Sequence, residues 1–168
     1  AVNALASLTA RQDAEGKYTP ATHLKLAIAM ARSGQKALAD REIAGVMKHA
    51  ADNASALNTI CWDLAIANVA LDRALAACDA ALAQNPENPA LLDSRGFVML
   101  RRGDYAAAIA SYDKAIAIRP KMPESLYGRG LARQKKGETA GGNADIAAAR
   151  ALKPDIVEQF AGYLRAAS

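Results

Sequence analysis

Asn88-Pro-Ala-Leu-Leu-Asp-Ser-Arg-Gly-Phe-Val-Met-Leu-Arg-Arg-Gly103-Asp-Tyr-Ala-Ala-Ala-Ile-Ala-Ser-Tyr-Asp-Lys-Ala-Ile-Ala-Ile-Arg-Pro120 is the stretch whose reading decides the fold. Pro89–Arg102 reads as one helix, and Gly103-Asp104 breaks it. Tyr105–Ile118 reads as a second, ended by Arg119-Pro120. On the second helix Ala108, Ile109, Tyr112, Ala115 and Ile116 recur at three- and four-residue steps, which makes one apolar stripe. Leu92, Gly96, Met99 and Leu100 form a matching stripe on the first. The two helices can therefore close on each other as a hairpin.

Moving outward, the same spacing recurs. Pro86, Pro120 and Pro154 fall 34 residues apart, and the pairs Gly96/Gly130 and Gly103/Gly137 keep the beat. Ala81, Ala115 and Ala149 do the same. A period of this length marks a solenoid of helix–turn–helix units. The next unit, Pro123–Asp155, carries Leu126, Gly130, Gly137, Gly142, Ile146, Ala149 and Pro154. Its Gly141-Gly142 pair lies inside the second helix, where each glycine costs about 1 kcal/mol against alanine. That helix is expected to fray at its start or to begin near Asn143.

The preceding unit, Ser55–Asn88, has Ala74, Cys78, Ala81 and Pro86 in register, but Trp62 stands where Gly96 and Gly130 stand later. An indole there either splays the hairpin or requires its helix to be rotated; the second reading is favoured, and Trp62 is expected to pack toward an earlier helix. The turn Asn68–Asp72 lacks a glycine. Ala21–Ser33 and Gln35–Ala50 read as a degenerate pair around Gly34, with His23, Leu24, Leu26, Ala27 and Met30 on one face. Val2–Gln12 reads as a further helix. Pro154–Ala166 reads as a cap, with Ile156, Val157, Phe160 and Leu164 toward the last unit. The expected partition is 1–20 (helix and polar link), 21–54 (degenerate repeat), 55–88, 89–122 and 123–154 (repeats) and 155–168 (capping helix).

Composition suits this plan. Of 168 residues, 52 % are hydrophobic but only 5 % aromatic, and nearly half of the apolar content is alanine. Alanine favours helix and lets helices approach closely. The net charge of +4 is too small to imply nucleic acid by itself. The pairs Arg101–Arg102 and Lys135–Lys136 are expected to offset the dipoles of the helices they end. No apolar run approaches the ~20 residues that span a bilayer. The first residue is alanine and no signal peptide is evident, so upstream sequence is expected to be missing. The two cysteines, Cys61 and Cys78, do not have metal-site spacing. Two separate buried thiols are the favoured reading, with a disulfide across one hairpin as the alternative.

The unit ending at Pro120 resembles a tetratricopeptide repeat. Leu92, Gly96, Gly103, Ala108, Tyr112, Ala115 and Pro120 fill the seven spaced positions of that family's pattern. The likeness covers Ser55–Asp155 well and Ala21–Asn53 weakly, and its alanine-rich wording resembles bacterial members. It implies an all-α, right-handed superhelical solenoid of antiparallel hairpins with a C-terminal capping helix. The first helix of each hairpin, helix A, would line the concave face. Residues expected to point into it are Thr59, Asp63 and Ile66, then Asp93, Phe97, Leu100 and Arg101, then Tyr127, Leu131, Gln134 and Lys135. The family's lysine- and asparagine-rich clamp for chaperone tails is absent, since its places hold Thr59, Asp63, Asp93, Phe97, Glu124 and Gly128.

Catalytic signatures are lacking. No metalloprotease helix or phosphate loop occurs, and Asp93, Asp113 and Glu124 are scattered. Ser94 lies inside a helix, without the strand–turn–helix elbow of a serine nucleophile. His23 and His49 stand alone. No enzyme activity, cofactor or metal is expected. Arg95 and Arg129 occupy equivalent places before the packing glycine. Each is expected either to pair with an acid on its own second helix, Asp113 for Arg95, or to offer fork-shaped contacts to a partner's carboxylates.

The expected function is protein–protein interaction, as a scaffold or accessory domain. The expected partner is a protein or peptide segment with apolar anchors and some acidic character. Nucleic acid and membrane insertion are not expected, and the compartment, bacterial cytoplasm or periplasm, stays open. One alternative is an RNA-binding repeat using Arg101, Arg102, Arg129, Arg133, Lys135 and Lys136. Others are the non-catalytic part of a larger bacterial enzyme, and self-association through the solenoid end near Val2–Leu8.

Overall fold

The computed structural model describes residues 1–165, so Ala166, the expected end of the last helix, lies outside the described residues. Among the described residues every regular element is an α-helix. α1 spans Val2–Ala14. Four hairpins follow: α2 (Pro20–Arg32) with α3 (Lys36–His49), α4 (Ala54–Ala67) with α5 (Leu71–Gln84), α6 (Pro89–Arg102) with α7 (Tyr105–Ile118), and α8 (Pro123–Lys136) with α9 (Thr139–Leu152). α10, Ile156–Arg165, comes last. Helix packs on helix along the chain, and the A helices α2, α4, α6 and α8 also adjoin one another in order. They form one layer of a two-layer solenoid, with α3, α5, α7 and α9 as the other.

Local chemistry sets the boundaries. The Asn53 side chain accepts from the Ala56 amide, and that of Asn88 from the Ala90 and Leu91 amides, satisfying donors that open α4 and α6. Pro20, Pro89 and Pro123 begin α2, α6 and α8, where a missing N–H costs nothing. Gly103 and Gly137 end α6 and α8 with φ of 82° and 93°. The hairpin α4–α5 has no such glycine, and Asn68 and Ala70 take positive φ in its place, 54° and 47°.

α9 corrects the expectation of a frayed start. It runs unbroken from Thr139 through Gly141-Gly142. The reason is tertiary. A Cβ on Gly142 would lie 2.8 Å from the Gly130 carbonyl oxygen, and one on Gly130 would lie 2.9 Å from the Gly142 carbonyl oxygen. The two helices therefore cross backbone to backbone, and their contact outweighs the propensity penalty.

The cysteines also depart from the favoured reading. Cys61 on α4 and Cys78 on α5 are joined in a disulfide, with Cα atoms 5.4 Å apart and both side chains fully buried. That separation is the ordinary bonding distance, reached because both residues lie on the facing stripes of one hairpin. A 17-residue separation gives a stabilisation of about 3 kcal/mol in the chain-entropy view. Refolding in a phosphine reductant is therefore expected to lower Tm by roughly 10 °C. A thermal melt that does not move would show the bridge to be inert.

Candidate functional site

α10 packs on both helices of the last hairpin, α8 and α9, and reaches beyond them. It lies across the layer of A helices. Its Phe160 ring is 4.7 Å from Tyr127 on α8 and 6.0 Å from Phe97 on α6. Its Tyr163 ring is 6.1 Å from Phe97 and 5.1 Å from Trp62 on α4. Trp62 in turn stacks obliquely on Phe97 at 5.0 Å. The indole thus packs toward later elements, not an earlier helix as expected. Both phenylalanines, the only tryptophan and two of the five tyrosines meet in this one seam. Ile156 and Phe160 are buried and Glu158 and Arg165 exposed, as expected, whereas Leu164 is 38 % exposed and Gln159 half-buried, against expectation. An aromatic face takes up aromatic rings in tilted and edge-on pairs more readily than it takes up an alkyl chain.

This placement changes the status of the expected contact residues. Phe97, Tyr127 and Asp93 are buried rather than open to a partner. Leu100, Leu131 and Ile66 are half-buried against the core. Thr59 and Lys135 remain exposed on the A-helix face. Gln134 turns to α9, where its amide donates to Asn143 Oδ1 at 2.8 Å. Asp63 is half-buried, and desolvation raises its pKa against the opposing pull of Lys25.

Arg101 does not serve the end of its own helix. Its Nε donates to the Ala65 carbonyl (3.1 Å) and its Nη2 to that of Ile66 (3.4 Å), both at the end of α4. Its Nη1 donates to the Leu164 carbonyl of α10 (3.4 Å). The guanidinium also sits 6.0 Å from the Phe97 ring centre, and burial lowers its pKa. One cation thus closes the C-terminal ends of two helices beside an aromatic face.

The other basic residues are tied within the chain. Arg95 does not reach Asp113 as expected. Its Nε donates to Asp79 Oδ1 on the preceding α5 (2.8 Å) and its Nη1 to Ser111 Oγ on α7 (2.9 Å). Arg129, one period later, repeats the pattern: Nη1 donates to Asp113 (2.7 Å), while Nε and Nη2 grip both oxygens of Asp145 at 2.8 and 2.6 Å. The Asp145 hydrogen bonds hold the Arg129 guanidinium above its ordinary pKa. Because each arginine bridges its own hairpin to the one before, the pairs form a ladder between units. Arg133 also bonds Asp145, Lys136 bonds Glu138, and Arg102 bonds Asp72 and Asp104.

Two buried polar groups lie beneath the A-helix face. Ser125 on α8 donates to Asp93 Oδ1 on α6 at 2.6 Å, and burial pushes the Asp93 carboxyl up to about 7. At the other end, buried His23 links Glu42 (2.8 Å) and Asp13 (3.2 Å), tying α1 and α3 to α2. The rings of Tyr18, His23 and His49 stack, at 4.5 Å (Tyr18–His23) and 4.0 Å (Tyr18–His49). Among the described residues no three His, Cys, Asp or Glu side chains are placed to hold a metal, and no helix is long and apolar enough to cross a membrane.

Sequence reasoning missed Trp62, Phe160 and Tyr163 as members of the A-helix seam. Their signal was compositional: a chain poor in aromatics puts an aromatic on each of three successive A helices and two more, three residues apart, on the last helix.

Known proteins agree with this architecture. The TPR repeat family matches residues 98–137, the span from α6 to the end of α8. Among solved structures, the first TPR domain of the human RPAP3 protein superposes with a TM-score of 0.58 at 19 % identity, covering 67 % of this chain and 91 % of that one. The crystal structure of MamA gives 0.59 at 20 % identity, covering 94 % and 83 %. No curated protein matches the chain in sequence. At such identities the structural likeness speaks for the fold, and the matched repeat speaks for the sequence. The chain thus carries a match to the tetratricopeptide repeat at residues 98–137 and shares the fold of these solved structures along most of its length.

Proposed function

We propose that the chain is a protein–protein interaction module, a scaffold or accessory domain, and that its A-helix face is the surface that takes a protein segment with apolar anchors. Proteins of this fold generally act as interaction scaffolds, and the family is typically non-catalytic. The observation that carries the reading is the aromatic seam of Trp62, Phe97 and Tyr127, which already holds a helical segment across three hairpins. Rigid aromatics on successive repeats are the usual anchors of an interface. The RNA reading has no comparable support, because Arg102, Arg129, Arg133 and Lys136 are paired with the chain's own carboxylates.

The test uses a photo-crosslinking residue placed at Thr59 or Lys135, exposed on the A-helix face, and at Ala76 or Ala110, exposed on the B helices. After irradiation in native lysate, a protein adduct is expected from Thr59 and Lys135 only. Adducts of equal yield from Ala76 and Ala110 would place the interaction elsewhere.

A further inference from the structure

α10 joins the rest of the chain through Lys153-Pro154-Asp155 alone. Its footprint is wider than that of an end cap: besides α8 and α9 of the last hairpin, it meets Trp62, through Tyr163, on a helix two hairpins back. Ile156, Phe160 and Tyr163 follow at i, i+4 and i+7, a single helical stripe turned to the protein. Arg101 adds polarity, since it binds backbone carbonyls near the end of α10 and ignores side-chain identity. The fit is incomplete. Gln159 Oε1 is buried with no partner among the described residues, and Leu164 keeps 38 % exposure. α10 therefore has the geometry of a bound helical ligand that happens to be covalently attached.

We infer that α10 is the resident occupant of a helix-binding groove. The partner is an amphipathic helix with an aliphatic residue followed by aromatics four and seven positions later. It takes the place of α10 with its C-terminal end at Arg101. The inference rests on the A-helix face being the interaction surface. A tethered helix competes as an intramolecular ligand at an effective concentration of about millimolar. Partner affinity is then reduced by the fraction of time the groove is closed, and weakening α10 raises it.

The probe is a labelled peptide of residues 154–165 in native sequence, titrated into the full chain and followed by anisotropy. It is expected to bind Tyr163→Ala about tenfold tighter than the unmodified chain, because the resident helix has then lost its Trp62 contact. The same peptide with Phe160 and Tyr163 both replaced by alanine is expected to bind neither. Trp62 is the native reporter. Its emission should shift to the red in Tyr163→Ala and return toward the original on adding the native peptide, which a merely loosened fold would not do. Phe160→Leu, which keeps most of the buried volume, is the second variant should Tyr163→Ala melt. Equal peptide affinity for the unmodified and weakened chains, or affinity indifferent to the peptide's aromatics, overturns the inference. If Thr59 and Lys135 still cross-link a partner in that case, the A-helix face stands and only the exchange falls.

Discussion

Tyr112→Ala is expected to lower stability by about 3–5 kcal/mol, the largest loss from any single truncation in this chain. The ring is fully buried and wedged between two A helices. A Cβ on Gly96 of α6 would come within 2.8 Å of it, and one on Gly128 of α8 would overlap its hydroxyl end. One side chain of α7 thus sets the spacing of its own hairpin and of the next, so its removal opens a cavity that neither helix can close. At 2–4 °C per kcal/mol for a chain of this size, a thermal melt should drop by roughly 10 °C or more. Tyr112→Phe separates volume from polarity. The hydroxyl has no hydrogen-bond partner among the described residues, and such a group costs about 1–3 kcal/mol when buried. The phenylalanine variant should therefore be at least as stable as the original. A loss comparable to that of alanine would mean the hydroxyl is paired and the wedge account is wrong.

Gly96 and Tyr112 were legible because both fill positions of the repeat pattern, whereas the packing of the ring on Gly128 of the next unit was not. Gly141-Gly142 was misread because propensity was weighed without the partner helix. The same glycine that weakens a free helix lets α9 lie against the Gly130 backbone. Cys61 occupies the place that Arg95 and Arg129 hold in later units, so the bridge to Cys78 stands where the ladder of ion pairs is missing. That substitution of one staple for another becomes visible only when the three units are compared in space. α10 was the hardest element to place. It follows Pro154 as α8 follows Pro120, but Leu164 stands where Gly96 and Gly130 stand in the earlier units, so the repeat pattern did not fix which layer it covers. Its amphipathic stripe was evident, but the face that receives it was not. Matching rings on Trp62, Phe97 and Tyr127 were the missing half of the argument.

Asp93→Asn is expected to stabilise the protein in a strongly pH-dependent way. The carboxyl is buried between α6 and α8, accepts a hydrogen bond from Ser125, and is raised from 3.8 to about 7, mainly by desolvation, with the nearby Glu124 charge adding to it. The folded state therefore binds this proton more tightly than the unfolded state. Below about pH 4 both states hold it and there is no differential effect. Between about pH 4 and 7 folding takes up a proton, so stability falls as pH rises, by at most about 1.4 kcal/mol per pH unit. Above about pH 7 the folded protein carries an uncompensated buried charge and the cost levels off. The asparagine variant never carries that charge, and its amide oxygen can still accept from Ser125. It should match the unmodified chain near pH 4 and exceed it at pH 8 by up to about 4 kcal/mol. Urea unfolding at the two pH values measures the difference directly. A gain of the same size at both would show that Asp93 acts through packing rather than charge, and no gain at pH 8 would mean the carboxylate is solvated in place.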